Sequence, residues 1–261
     1  MDGQDTFHVL GFFSALGINA ADAQVSAIKE QPFNTDTANK FVIPDPLWLW
    51  GAYYAATSAT RARINTASRR IRGFPQIVPF NRSLLWTANE MPFMDLTEEN
   101  LHLEVIENVE VDGSNNLAAA TENTFCLLFV SRHQVPNEMP PGLTRWVRFT
   151  AAPTAVAGAW SAPVSITPQD QLEGGHYTVW GMTAQETNGI ATRLIWPRAT
   201  LYKPGTICMS TLGLKPPDIF ILPKWGHWGD FDTYAFPQIE HLGNVAGAVT
   251  VEIQLLISKV P

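Results

Sequence analysis

The stretch Trp48-Leu49-Trp50-Gly51 returns later in the chain as Thr178-Val179-Trp180-Gly181, with the Trp-Gly pairs about 130 residues apart. Working outward, Thr60-Arg61-Ala-Arg-Ile64 is matched by Thr192-Arg193-Leu-Ile-Trp196 at about 132 residues. Pro75 before Gln76-Ile-Val78 is matched by Pro204 before Gly205-Thr-Ile207 at about 129. The halves end in similar strands, Phe125-Cys-Leu-Leu-Phe-Val-Ser131 and Glu252-Ile-Gln-Leu-Leu-Ile-Ser258, about 127 to 128 apart. Order is kept and the offset drifts little, so the chain reads as one fold duplicated. Between the halves, Gln134-Val-Pro-Asn-Glu-Met-Pro-Pro-Gly142 carries three prolines and a glycine, which stop helix and ladder alike. The domains are therefore expected at 1–136 and 142–261.

Short runs rich in β-branched and aromatic residues, bounded by Gly, Pro, Asn or Asp, predict strands at 48–54, 76–80, 101–111, 124–131, 177–182, 190–196 and 250–258. Leu101, Leu103 and Val105 alternate with His102 and Glu104, and Val251, Ile253, Leu255 and Ile257 with Glu252 and Gln254, as half-buried strands do. One segment breaks the pattern. Phe7, Leu10, Phe13 and Leu16 recur every three to four residues, which predicts a helix within 6–28, although Gly11 and Gly17 oppose it. Each half, about 130 residues with seven or eight strands, has the size of an eight-stranded sandwich. The fold class is all-β: two tandem eight-stranded jelly-roll β-sandwiches from an internal duplication.

Composition narrows the function. The 261 residues are 46% hydrophobic but only 16% charged, with 19 Pro, 18 Gly, 9 Trp and 14 Phe. A net charge of −7 opposes a role in coating nucleic acid, which needs a cationic surface to release counterions. Cys126 and Cys208 both lie in apolar runs and read as buried free thiols. No Lys or Arg precedes Lys29, the reverse of a secretory leader, and the apolar run 9–18 is about half a membrane span. The chain is thus expected to be soluble and made without secretion.

Two similar sandwiches in tandem, charge-poor and short in loops, resemble the double jelly-roll major capsid proteins of icosahedral viruses, particularly the small ones of membrane-containing phages. The resemblance covers the whole chain and rests on the repeat and the composition. It implies a structural virion protein, made in a host cytoplasm, whose trimers present six sandwiches as a pseudo-hexamer and tile an icosahedral shell. Its partners would be itself, neighbouring capsomers and minor capsid or vertex proteins, with no cofactor and no direct nucleic-acid binding. In membrane-containing relatives the N-terminus often lies near the lipid. Residues 7–13 have the apolarity for that but no cation to attract anionic lipid, so the alternative is a segment packed under a jelly roll.

Charge is segregated along the chain. Arg61, Arg63, Arg69, Arg70 and Arg72 fall close together, whereas no Lys or Arg lies between Arg82 and Arg132, a stretch holding nine acids that include Glu98, Glu99 and Glu104. Arginine cluster and acidic stretch are candidate interface partners, within a subunit or across to a neighbour, giving register and orientation. The alternatives are a solvated basic loop or contact with packaged genome, for which a basic N-terminal arm is missing.

Catalytic patterns are not found. A two-domain cupin would match the duplication, but the six histidines contain no His-x-His pair, and no Gly-x-Ser-x-Gly elbow, His-Glu-x-x-His or phosphate loop occurs. The reading is of a non-enzyme without a metal centre. The densest constellation is Trp225-Gly-His-Trp228-Gly-Asp230-Phe-Asp232, followed by Glu240-His241. Aromatics beside carboxylates suit a sugar ring or calcium, and an aromatic-anchored loop with capping aspartates is the plainer reading. Asp95, Glu98 and Glu99 form a weaker calcium candidate. These residues keep open a second function, a secreted or surface carbohydrate-binding, lectin-like tandem sandwich.

Overall fold

The computed structural model describes residues 7–33, 39–66, 76–77 (backbone only), 93–99, 101–116, 121–134, 144–197, 201–210 and 227–260. The first half of the chain supplies β1 (Phe7–Leu16), β2 (Ala23–Ala27), β3 (Phe41–Val42), β4 (Leu47–Ala55), β5 (Ala59–Thr66), β6 (Gln76–Ile77), β7 (Met94–Asp95), β8 (Leu101–Leu103), β9 (Asn108–Asn115) and β10 (Glu122–Ser131). The second supplies β11 (Thr144–Ala151), β12 (Thr154–Ala155), β13 (Val164–Ser165), β14 (Thr167–Pro168), β15 (His176–Gln185), β16 (Gly189–Ile195), β17 (Gly205–Met209), β18 (Gly229–Asp232), β19 (Gln238–Gly243), β20 (Gly247–Ala248) and β21 (Val251–Lys259). No helix occurs among the described residues, and the fold is all-β.

The chain forms two compact units, one of Leu10–Leu85 and Pro92–Gln134, the other of Met1–Val9, Trp86–Met91 and Val135–Pro261. The first residues thus group with the second half, where the sequence division placed them with 1–136. Strands of the first half run β6-β5-β9-β2-β1-β10-β4-β7, with β3 on β9 and β8 on β4. Those of the second run β13-β19-β16-β17-β15-β21-β11-β14, with β18 on β15, while β12 and β20 pair separately. β15 pairs with β17 in parallel, whereas its ladders with β18 and β21 are antiparallel. Each path holds eight strands, and the off-path strands bring the two sheets to ten and nine.

Two expectations change. The predicted helix within 6–28 is β1 and β2 instead. Residues 7–12 are buried on successive positions, so both faces of β1 are covered and its apolar spacing mimics a helical period. The single strand expected at 101–111 is broken into β8 and β9 by a turn at 104–107, where Glu107 N donates to Glu104 O at 3.2 Å.

The units repeat one another bulge for bulge. In β4–β10 the register slips at Trp50, with Gly51 opposite Phe129 and Leu49 opposite Val130. In β15–β21 it slips at Trp180, with Gly181 opposite Leu256 and Val179 opposite Ile257. A second slip falls between Ala59 and Arg61 on β5 and between Gly189 and Ala191 on β16. Strand switching repeats too. On β2, Val25 faces Val111 of β9 while Ala27 faces Phe12 of β1; β13 and β14 divide the same path, Val164 facing Ile239 and Thr167 facing Thr150. The register also corrects the sequence alignment at Thr60-Arg61. Arg63, opposite Asp112, holds the place of Arg193, opposite Glu240. The shared Thr-Arg letters had drawn the alignment two residues out of step.

The Trp-Gly motif has a packing cause. A bulge leaves one residue unpaired and re-aims it, and Trp50 enters the core with ring centroids 5.3 Å from Phe129 and 6.0 Å from Phe93. A Cβ on Gly51 would collide with the Phe93 ring, so only glycine lets that ring lie against the strand. In the second unit Trp180 is half-buried and its Nε1 donates to Ser258 Oγ at 2.8 Å.

Candidate functional site

β16 reads Gly-Ile-Ala-Thr-Arg-Leu-Ile and is buried throughout. Neighbouring strand residues point to opposite faces, so Thr192 and Arg193 must find polar partners on different sides. On one side Arg193, 1% exposed, sends Nε to Glu240 Oε2 at 2.7 Å and Nη1 to Val9 O at 3.2 Å. Its Cζ lies 3.9 Å from the Trp160 ring centroid. Lys203 Nζ donates to both Glu240 oxygens at 3.0 and 3.1 Å. Val9 N donates to Lys203 O and Lys203 N to His8 Nδ1, so this charged cluster ties the first residues of β1 into its unit.

On the other side Thr192 Oγ1 lies 3.0 Å from both Cys208 Sγ and His241 Nδ1. His241 Nε2 is 3.5 Å from Glu186 Oε2, in ion-pair range but outside hydrogen-bond alignment. Ser161 Oγ accepts from His241 N at 3.0 Å. Burial alone would raise the Glu186 carboxyl, but His241 and the Asn188 and Thr187 amides outweigh it and hold it below its usual range. Burial pushes the Cys208 thiol up to about 12, against a partial offset from Thr192.

Thiol, imidazole and carboxylate are the parts of a nucleophile, base and orienting group. Their arrangement is enclosed. Cys208 Sγ and His241 Nδ1 stand 4.0 Å apart with the Thr192 hydroxyl bonded to both, and Cys208, Thr192 and His241 are each 0% exposed. A protonated, enclosed thiol is not a nucleophile. The first unit fills the corresponding space differently. Ala56, Ala62 and Gly113 stand where Glu186, Thr192 and His241 stand, and Tyr54, in the place of Ala184, brings its hydroxyl against Gly113. One large side chain in one unit is exchanged for three polar ones in the other, keeping the interior full.

The residues singled out in the sequence fall as follows. Arg61 and Arg63 share a face of β5. Arg61 pairs with Asp22, and Arg63 Nη2 lies 3.3 Å from Asp112 Oδ2 and 3.8 Å from Asp22 Oδ1. One arginine therefore reaches the acidic stretch within its own unit. Glu98 and Glu99 are exposed in the turn after β7, and Glu104 Oε1 lies 3.1 Å from His102 Nδ1; among the described residues none of the three pairs with Arg61 or Arg63. Arg69, Arg70, Arg72 and Trp225 lie outside the described residues.

Trp228 is 1% exposed, which removes it as a stacking platform for a sugar. Asp230 accepts from His227 at 2.9 Å and Thr178 at 2.7 Å; burial works to raise its carboxyl, and these contacts overcome that and lower it. Asp232 lies 3.0 Å from His176 Nδ1. Both carboxylates serve strand and turn contacts, and Asp95 Oδ1 accepts from Thr97 N and Oγ1. Among the described residues no group of three or more His, Cys, Asp or Glu side chains is placed to hold a metal.

Sequence reading missed the β16 clusters, although Thr192-Arg193 and Glu240-His241 were visible as polar pairs inside apolar runs. No protein-family model matches the chain, and no curated protein is significantly similar to it.

Proposed function

We propose that the chain is a structural shell subunit, a major capsid protein whose trimers present six β-sandwiches as a pseudo-hexagonal building block. The observation that carries this reading is the duplication itself, held to the level of matched bulges at Trp50 and Trp180. A three-fold assembly of a two-fold repeated subunit approximates six-fold packing while each half keeps its own contacts. The low charged fraction, 16%, accords with surfaces covered by neighbours, where Lys and Glu are depleted. The polar clusters on β16 accord with it as well, since they lock strands together in a unit that must survive assembly. Such a subunit resides in the virion, is made in a host cytoplasm, and meets itself, neighbouring capsomers and minor capsid or vertex proteins.

Size-exclusion chromatography with light scattering tests the reading. The expected species is a trimer of the 28.8 kDa chain, or larger particles built from it. A monomer at all concentrations that binds glycans would replace this reading with the lectin-like one.

A further inference from the structure

Each unit carries a turn with a large, uncovered side chain at its apex, and these two turns are equivalents in the repeat. Leu103 of β8 faces Leu47, and Phe231 of β18 faces Tyr177, in corresponding registers. In the turns that follow, Glu107 N donates to Glu104 O at 3.2 Å and Ala235 N to Asp232 O at 2.9 Å. Ile106 and Tyr234 take the same place in these turns and are 78% and 93% exposed, the two most exposed large apolar side chains among the described residues. The residues differ while the character is shared.

Ile106 is also held at φ 65, a left-handed conformation that disfavours a β-branched side chain. Its amide donates to Ile43 O at 2.8 Å, which fixes the backbone, yet the side chain stays 78% exposed. Asparagine or glycine would hold this turn with less strain. A left-handed backbone that holds a large apolar group in solvent, at a place the repeat matches with Tyr234, points to a use outside the subunit.

We propose that the Ile106 and Tyr234 apices are contact points for a second copy of this chain. Self-association, rather than a different partner, follows from the feature recurring at equivalent places in the two repeats, because a closed assembly of duplicated subunits needs corresponding contacts on both halves. Charge complements it. Both turns begin with a carboxylate, Glu104 or Asp232, and the chain concentrates arginines at 61–72, where the side chains of Arg61 and Arg63 remain 40% and 42% exposed. Arg61 and Arg63 pair with Asp22 and Asp112 in their own unit but keep exposed guanidinium surface that an acid-flanked apex on a neighbouring copy can approach. This inference rests on the self-assembly proposed above.

The test compares wild type, Ile106→Asn, Tyr234→Ser and the double variant by sedimentation velocity over a dilution series, with melting measured on the dissociated chain. Ile106→Asn should melt at or above wild type, because asparagine accepts the left-handed backbone, and yet assemble more weakly. Each single change should raise the dissociation constant about tenfold or more, and the double variant should be monomeric where wild type is assembled. Wild-type assembly by the folded double variant would overturn the inference and leave the shell reading standing. A melting temperature lowered by Ile106→Asn would also overturn it, by placing the side chain's role inside its own subunit. A wild type that never self-associates would overturn the shell reading and this inference with it.

Discussion

Glu240→Gln against Asp112→Asn asks the same question at equivalent places in the two repeats. Both carboxylates face an arginine across an antiparallel pair, Arg193 opposite Glu240 and Arg63 opposite Asp112. Their surroundings differ. The Arg193 and Glu240 side chains are 1% and 10% exposed, and Lys203 adds a second cation 3.0 Å from the carboxylate. Removing the carboxylate charge leaves two cations in a nearly water-free place, and breaking a buried pair in this way costs about 3–5 kcal/mol. The Arg63 and Asp112 side chains are 42% and 15% exposed at 3.3 Å, where solvent screens the attraction and the pair contributes about 0–1 kcal/mol. For a unit of this size, Glu240→Gln should lower the melting temperature by roughly 10 °C or more, against at most a few degrees for Asp112→Asn. Thermal and urea unfolding at pH 7, at concentrations where the chain is dissociated, measure both. Equal losses, or a larger one at Asp112, would refute the claim that burial separates the two pairs.

Two further outcomes are expected. Glu186, held below the usual carboxylate range by His241 and the turn amides, contributes stability that is present above its unfolded pKa and lost as pH falls through the folded value. Wild type should therefore lose more stability than Glu186→Gln between neutral pH and about pH 3, and parallel curves would exclude Glu186 as a source of acid lability. Gly51→Ala should destabilise by about 1–3 kcal/mol through overpacking against Phe93. The cost should shrink in a Phe93→Ala background, and an additive double-mutant cycle would show that the ring is not what demands glycine there.

The repeat was legible because its marker is physical: a bulge re-aims a tryptophan into the core and a glycine beside it admits an aromatic ring, as at Trp50, Gly51 and Phe93. Thr60-Arg61 misled for the converse reason, since a dipeptide match ignores which residue a bulge leaves unpaired. β1 was misread because a strand covered on both faces loses the alternation that identifies strands. The charged cluster lay beyond sequence reading. Val9 and Arg193 are 184 positions apart, and nothing local in either segment announces that a backbone carbonyl of one will meet the guanidinium of the other. Trp228 shows the same limit from the other side, because Trp-Gly-Asp admits a sugar platform beside the plainer reading of a buried anchor until its exposure is known.

The central claim is that two matched sandwiches exist in one chain to build a three-fold, pseudo-six-fold block. Electron microscopy of the purified, assembled protein tests it most directly. Class averages should display a hexagonal outline with three-fold symmetry, alone or tiled into closed shells. Monomers or two-fold dimers as the only species would contradict the account.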